Sequence, residues 1–226
     1  VVLFSGIKPV WQANFLGASS LPAGLTWTVP TTLRTLYDST GKLTYGGNNL
    51  ILQSQTLSTS PWSTGGVSTL TPGITAPDGT STAFQITYLA DGSRITQQIA
   101  SIPAPSLIYS VYLKVASVDN GATILVYDNT AGSRLTSLTV NTIARSGIDA
   151  GNGWRRVYLA LSPIVGHNLT FYVYTDKSNG AIVGSSLYAW GAQVEAVTYQ
   201  TTPSAYNATT SAAYYAPRFD YDPSTL

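Results

Sequence analysis

Turn residues recur along this sequence too often for a long helix to form. Pro77-Asp78-Gly79, Asp91-Gly92, Asp119-Asn120-Gly121, Asp128-Asn129, Gly151-Asn152-Gly153 and Ser178-Asn179-Gly180 cut it into short stretches. Gly supplies positive φ at such points, and Asn and Asp bond their side chains to nearby backbone. Between the breaks the residues alternate. From Ile108 to Val115, Val111, Leu113 and Val115 fall on one side and Ser110, Tyr112 and Lys114 on the other, the two-residue period of a half-buried strand. Ala122 to Tyr127 reads the same way. Further strands are expected at Leu50 to Leu57, Ala83 to Tyr88, Arg94 to Ile99, Arg134 to Val140, Arg155 to Leu161, Leu169 to Tyr174 and Ser186 to Val197. This pattern predicts an all-β fold, an antiparallel β-sandwich. Val111, Leu113, Val157, Leu159, Tyr188, Trp190 and Val194 are the expected core, with Trp190 in phase with Tyr188 and Val194.

The flanks differ from this body. Residues 1 to about 36 are apolar but interrupted by Gly17, Pro22, Gly24 and Pro30. Such a segment is too broken to form its own core and too hydrophobic to be a solvated tail, so it reads as a docking arm. Trp11, Phe15, Leu16, Leu25 and Trp27 are its expected assembly contacts, since aromatic and apolar anchors concentrate in desolvated interfaces. Asp38-Ser39-Thr40-Gly41 marks a short hairpin between Tyr37 and Asn48. Thr198 to Ala216 is rich in Thr, Ser, Ala and Tyr without periodicity, the composition of an extended connector. The expected division is therefore an arm and hairpin over 1–47, the β-sandwich domain over 48–202 and, over 203–226, a C-terminal connector leading to a further domain. The chain begins at Val1 and has no Met, which reads as a processed chain or a portion of a longer product.

Charge narrows the function. Only 9% of the 226 residues are charged, against roughly 25% in an ordinary soluble domain. A surface so poor in charge carries little long-range repulsion and suits burial against neighbours. The 11 Lys and Arg are scattered and the net charge is +1, so no footprint for nucleic acid is expected. No apolar run reaches the ~18 residues of a membrane helix. With no Cys, disulfides and thiolate sites are excluded.

Catalysis has few candidates. Glycoside hydrolysis needs two carboxylates across one bond, and a hydroxyl nucleophile usually needs a base. The chain has one His, His167, set in a loop, and one Glu, Glu195. Most of its Asp residues are explained by turns. The expectation is a protein that is not an enzyme. Sugar binding has better material, because pyranose rings stack on exposed aromatic rings while polar side chains fix their hydroxyls. The aromatic candidates are Trp62, Trp154, Tyr112, Tyr127, Tyr172 and Tyr174, with Arg155 and Gln193 as polar partners. Trp154, Tyr112, Trp62, Arg155 and Gln193 form the preferred set. Calcium takes oxygen ligands from loop side chains and carbonyls. Asp78, Asp119, Asp128 and Glu195 could contribute, yet no run of alternating acids makes a dedicated loop, so no cofactor is expected.

A series of strings occurs in order along the chain. It runs from Asn49-Leu50-Ile51-Leu52-Gln53-Ser54 and Pro61-Trp62, through Ala76-Pro77-Asp78-Gly79-Thr80-Ser81-Thr82-Ala83 and Tyr109-Ser110-Val111-Tyr112-Leu113-Lys114, to Gly153-Trp154-Arg155-Arg156-Val157 and Leu187-Tyr188-Ala189-Trp190-Gly191-Ala192-Gln193-Val194-Glu195. It resembles the carbohydrate-binding-module-like jelly roll of many phage tail-fibre and other virion proteins. Ala216-Pro217-Arg218-Phe219-Asp220-Tyr221-Asp222-Pro223 resembles a segment that precedes a further domain in such proteins. The resemblance implies a virion location and a non-enzymatic fibre or adaptor protein. Its implied partners are other virion proteins and a host-surface glycan, and its implied assembly is a homotrimer. The alternative it leaves open is a capsid decoration protein that clamps neighbouring capsid subunits.

Overall fold

The computed structural model describes residues 32–38, 40–65, 68–90, 92–175 and 183–216. Trp11, Phe15, Leu16, Leu25 and Trp27, the expected assembly contacts, lie outside the described residues. The strands run in the order β1 (Thr35–Tyr37), β2 (Leu43–Tyr45), β3 (Asn48–Asn49), β4 (Ser63–Gly65), β5 (Ser68–Ile74), β6 (Ala83–Tyr88), β7 (Arg94–Ile99) and β8 (Leu107–Val115). They continue with β9 (Ala122–Asp128), β10 (Ser133–Val140), β11 (Ile148–Asp149), β12 (Arg155–Leu161), β13 (Leu169–Tyr174), β14 (Ser186–Ala196) and β15 (Tyr214–Tyr215). From Ala83 onward every expected strand forms, each with its ends within one residue of the alternating run.

Two antiparallel sheets face each other. One has five strands in the order β10-β9-β13-β7-β4, the other six in the order β11-β12-β8-β14-β6-β5. Between them the inward side chains of the alternating strands close the core: Ile124 and Val126 of β9, Phe171 and Val173 of β13 and Ile95 of β7 meet Tyr109, Val111 and Leu113 of β8 and Val157 of β12. All are fully buried. The Tyr109 ring meets Phe171 edge-on with centroids 5.2 Å apart. Burial pushes the Tyr109 phenol far above its ordinary value, so it stays neutral.

Three expectations are corrected. The stretch Leu50 to Leu57 is apolar enough for a strand but forms turns instead. Its backbone is satisfied by side chains from far away: Gln97 accepts from the Leu52 N–H (2.7 Å) and donates to the Leu52 carbonyl (2.8 Å), while the Thr209 hydroxyl donates to the Ile51 carbonyl (2.6 Å). Leu50, Ile51, Leu57 and Trp62 are thereby turned into the core. Conversely, β4 and β5 were not expected, because Pro72 and Gly73 interrupt β5 where its register against β6 shifts. The third correction concerns Trp190. Its partner on β8 is Tyr112, but three residues later Gln193 pairs with Ser110, so β14 carries an extra residue. That bulge reverses the side-chain phase. Leu187 and Ala189 before it and Ala192, Val194 and Ala196 after it point into the sandwich, whereas Tyr188 and Trp190 point outward.

The outer face of the six-stranded sheet is closed by the C-terminal segment. Gln193 accepts from the Asn207 N–H (2.8 Å), Glu195 takes the Ser204 N–H (3.0 Å) and hydroxyl, and Arg156 donates to the Ser204 carbonyl. Tyr206 lies against Trp190, with ring centroids 4.6 Å apart, and its hydroxyl bonds Ser54 at 2.6 Å. Beyond this cover the segment returns to the start of the sandwich: β15 pairs with β3, and the Ala216 N–H reaches the Gly47 carbonyl at 2.6 Å. Asn48 and Asn49 anchor that junction by bonding the backbone of β14 at Ala192, Val194 and Ala196.

Candidate functional site

The preferred set of sugar-binding residues does not form an open surface. Trp154 is 1% exposed and packs with Trp190, Ala76 and Ala83, its ring 6.5 Å from that of Tyr188. Trp62 is buried at the edge of the sandwich, and its indole N–H donates to the Gln53 carbonyl at 3.0 Å. Gln193 is fully buried and holds Asn207. Tyr112 is half-buried, with Trp190 and Tyr206 edge-on to it at 5.2 and 5.9 Å and the Arg156 guanidinium over its ring at 5.2 Å. Arg155 is tied down locally, donating to the Ser146 carbonyl (2.7 Å) and the Gly147 carbonyl (2.9 Å) and pairing with Asp149 at 3.0 Å. The structure does bring Tyr112, Trp154 and Gln193 to one sheet face. That face is the one the C-terminal segment covers, which is why they cannot act as a platform.

The other three aromatic candidates lie elsewhere. In β13, Leu169, Phe171 and Val173 point into the core, so Thr170, Tyr172 and Tyr174 point outward from the five-stranded sheet. Residues directly paired across an antiparallel ladder share a face. Tyr174 therefore stands in one row with Arg94 and Thr123, Tyr172 with Thr96 and Leu125, and Thr170 with Gln98 and Tyr127. β10 extends the rows with Thr139, Ser137 and Arg134, and β4 with Gly65 and Ser63. All these side chains are half-exposed or exposed, apart from the buried Thr170.

Tyr172 and Tyr174 stack with centroids 5.5 Å apart and ring planes 12° from parallel. Successive outward residues on a strand are ~7 Å apart, so the two rings lean together into a continuous apolar strip. The Arg94 guanidinium lies over the Tyr174 ring at 5.7 Å and donates to the Gly92 carbonyl at 2.9 Å. On the opposite side of Arg94, Gly65 leaves the room it needs: a Cβ there would stand 2.6 Å from the guanidinium carbon. Burial raises the Tyr174 phenol above its ordinary value, with Arg94 pulling the other way, so the hydroxyl stays neutral and able to donate. Around the strip stand the hydroxyls of Ser63, Thr96, Thr123, Ser137 and Thr139 and the Gln98 amide. The signal for this face was the parity of β13 itself; Arg94 and Arg134 were missed because only the pairing of four strands brings them beside the tyrosines.

The carboxylates serve turns. Asp128 accepts from the Thr130 and Ala131 N–H groups (3.0 and 2.9 Å) and meets His167 Nδ1 at 2.8 Å. Asp119 takes the Ile143 and Ala144 N–H groups, and Asp78 takes the N–H and hydroxyl of Thr80. Among the described residues no three His, Cys, Asp or Glu side chains converge as metal ligands would.

No protein-family model matches this sequence, and no curated protein does. Among solved structures it is similar to the enzymatically active domain of tailspike protein 4 of bacteriophage CBA120, at 19% identity and TM-score 0.44 over 66% of this chain and 21% of that one. It is also similar to the xylan-binding domain CBM22-1 of Paenibacillus barcinonensis Xyn10C, at 13% identity and TM-score 0.46 over 71% of this chain and 97% of that one. A third is the carbohydrate-binding module of Cellvibrio mixtus lichenase 5A in complex with cellotriose, at 10% identity and TM-score 0.41 over 65% and 97%. The chain thus spans about a fifth of the tailspike chain and nearly all of each binding module. The fold itself, two facing antiparallel sheets of five and six strands, is an antiparallel β-sandwich.

Proposed function

We propose that this chain is a non-enzymatic fibre or adaptor component of a virion, and that the open face of its five-stranded sheet takes a host-surface glycan. The observation that carries the reading is the stacked Tyr172–Tyr174 pair, half-exposed and ringed by hydroxyls and an amide. A pyranose presents an apolar C–H face and an equatorial belt of hydroxyls. Such a ring needs one flat aromatic surface and several donors and acceptors in the same plane, which this face offers on rigid strands rather than on loops. Placement in a virion is supported by the ordered strings of the sequence and by its poverty of charge, which suits a subunit embedded among others. The absence of catalysis is supported by the sole Glu and sole His being occupied in structural bonds.

The test is a glycan array followed by titration of the best ligand. Tyr172→Ala and Tyr174→Ala should each weaken binding by about tenfold or more, as the loss of one stacked aromatic at an interface does, while leaving thermal unfolding within a few degrees of the parent. Full binding by the double variant would exclude this face. Immunolabelling of intact particles tests the location: signal on capsid faces, in contact with several capsid subunits, would favour a decoration protein over a fibre.

A further inference from the structure

We propose that the glycan taken by this face is acidic, a chain of sugars bearing carboxylate, sulfate or phosphate groups; this deepens the glycan-binding reading and rests on it. The outward positions of the five strands hold Ser63 and Gly65, Arg94, Thr96 and Gln98, Thr170, Tyr172 and Tyr174, Thr123, Leu125 and Tyr127, and Arg134, Ser137 and Thr139. Two are Arg and none is Asp or Glu. In a chain with almost equal numbers of acids and bases, that face is set apart by charge as well as by its tyrosines.

The two arginines bracket the aromatic strip. Arg94 is in the row of Tyr174 on one side, and Arg134 is beside Tyr127 on the other. β7 and β10 are separated by β13 and β9, which places them ~14 Å apart, and the two rows are four residues apart, ~13 Å along the strands. The guanidiniums therefore lie on the order of 20 Å apart on a diagonal that crosses Tyr174, Tyr172 and Tyr127. Only an extended ligand can meet both while stacking between them.

Neither arginine is committed to a carboxylate among the described residues, where the ion pairs are Arg155–Asp149 and His167–Asp128. Arg94 is nevertheless held in place, between the Tyr174 ring and the bare backbone of Gly65 and bonded to the Gly92 carbonyl. A half-exposed guanidinium fixed on an aromatic surface, with N–H donors beyond the one bonded to Gly92, is suited to a planar anion, which it can receive through two parallel hydrogen bonds. The contrast with the opposite sheet is informative. There Arg156 is buried beneath the C-terminal segment, spends its donors on Ser110 and Ser204 and has Glu195 nearby, so it closes the fold rather than meeting a ligand.

The experiment uses the whole chain and four probes: polygalacturonate, the same polymer fully methyl-esterified, a sulfated polysaccharide and a neutral xylan. Each is titrated at low and at high salt against the parent, the Arg94→Gln/Arg134→Gln variant and Tyr172→Ala, with thermal unfolding to confirm that each variant is folded. The expected result is retention of at least one anionic polymer and not of the esterified or neutral ones. Its binding should weaken with salt, fall about tenfold or more in the double-Gln variant, and be lost in Tyr172→Ala. Neutral and esterified polymers binding as tightly as anionic ones, unchanged by the double-Gln substitution but lost in Tyr172→Ala, would overturn the acidic class and leave the glycan face standing. Binding that survives Tyr172→Ala, or no retention of any of the four, would overturn both.

Discussion

Trp154 and Trp190 illustrate how much the role of a tryptophan depends on what covers it. Both are on the outer face of a sheet, where a ligand platform would be, and both are buried because Ala76, Ala83, Tyr188 and Tyr206 close over them. Trp190 also spends its indole N–H on the Thr82 hydroxyl at 2.9 Å. Replacing either by Ala should cost about 3–5 kcal/mol, visible as a lower denaturant midpoint, and any loss of ligand binding would follow unfolding. A Trp154→Ala variant with the parent's midpoint would show that the indole is not packed as described. Asp128 makes a different prediction. The Ala131 N–H is the strongest of the influences that hold its carboxylate below the ordinary value, with His167 and the Thr130 N–H adding to it against the opposing effect of burial. A carboxylate depressed in the folded state stabilises above its unfolded pKa near 4, and that contribution is lost as pH falls through the folded value. Asp128→Asn keeps an oxygen for the two amides but cannot titrate. Melting temperatures measured from pH 7 down to pH 2 should therefore fall less steeply in the variant than in the parent; parallel curves would remove Asp128 from the acid response.

Among the elements, the bulge in β14 has the largest consequences. Gly191 has φ of 62°, and a Cβ there would come within 3.0 Å of the Tyr112 ring. Gly191→Ala should thus destabilise by about 1–2 kcal/mol from backbone conformation alone, measured by urea unfolding, and a neutral or stabilising result would mean that the strand has another way to shift its phase. The strands β6 to β10 and β12 to β14 were legible in the sequence from their alternating apolar residues and the turn residues between them, whereas the two-residue strands β11 and β15 are too short to alternate. The bulge was not, since it depends on Gly191 lying close to Tyr112, a contact between strands. The turns over Leu50 to Leu57 were hidden for a similar reason: an apolar run looks like a strand until Gln97 and Thr209 arrive to satisfy its backbone. As for the site, six aromatic candidates could be named, but which of them face solvent is decided by where residues 203–209 cross the six-stranded sheet. A segment with no periodicity of its own gives no sign of doing so.

At the scale of the whole molecule, the described body closes on itself, with β3 and β15 paired and Gly47 bonded to Ala216. Trimer formation through residues 1–36 is tested by light scattering of the chain with and without them: a trimer that becomes a monomer on truncation is expected, and a monomer in both cases would leave docking on a different protein as the role of the arm. Recognition itself is read most directly by an NMR titration of the folded chain with the glycan that an array selects. The amides of Arg94, Thr96, Thr123, Leu125, Tyr172 and Tyr174 should shift together and saturate with one affinity, while those around Trp154 and Tyr206 stay where they are. Shifts gathered around Trp154, Tyr112 and Tyr206, with the five-stranded sheet silent, would mean that the C-terminal segment opens and that the ligand face is the one assigned here to the core.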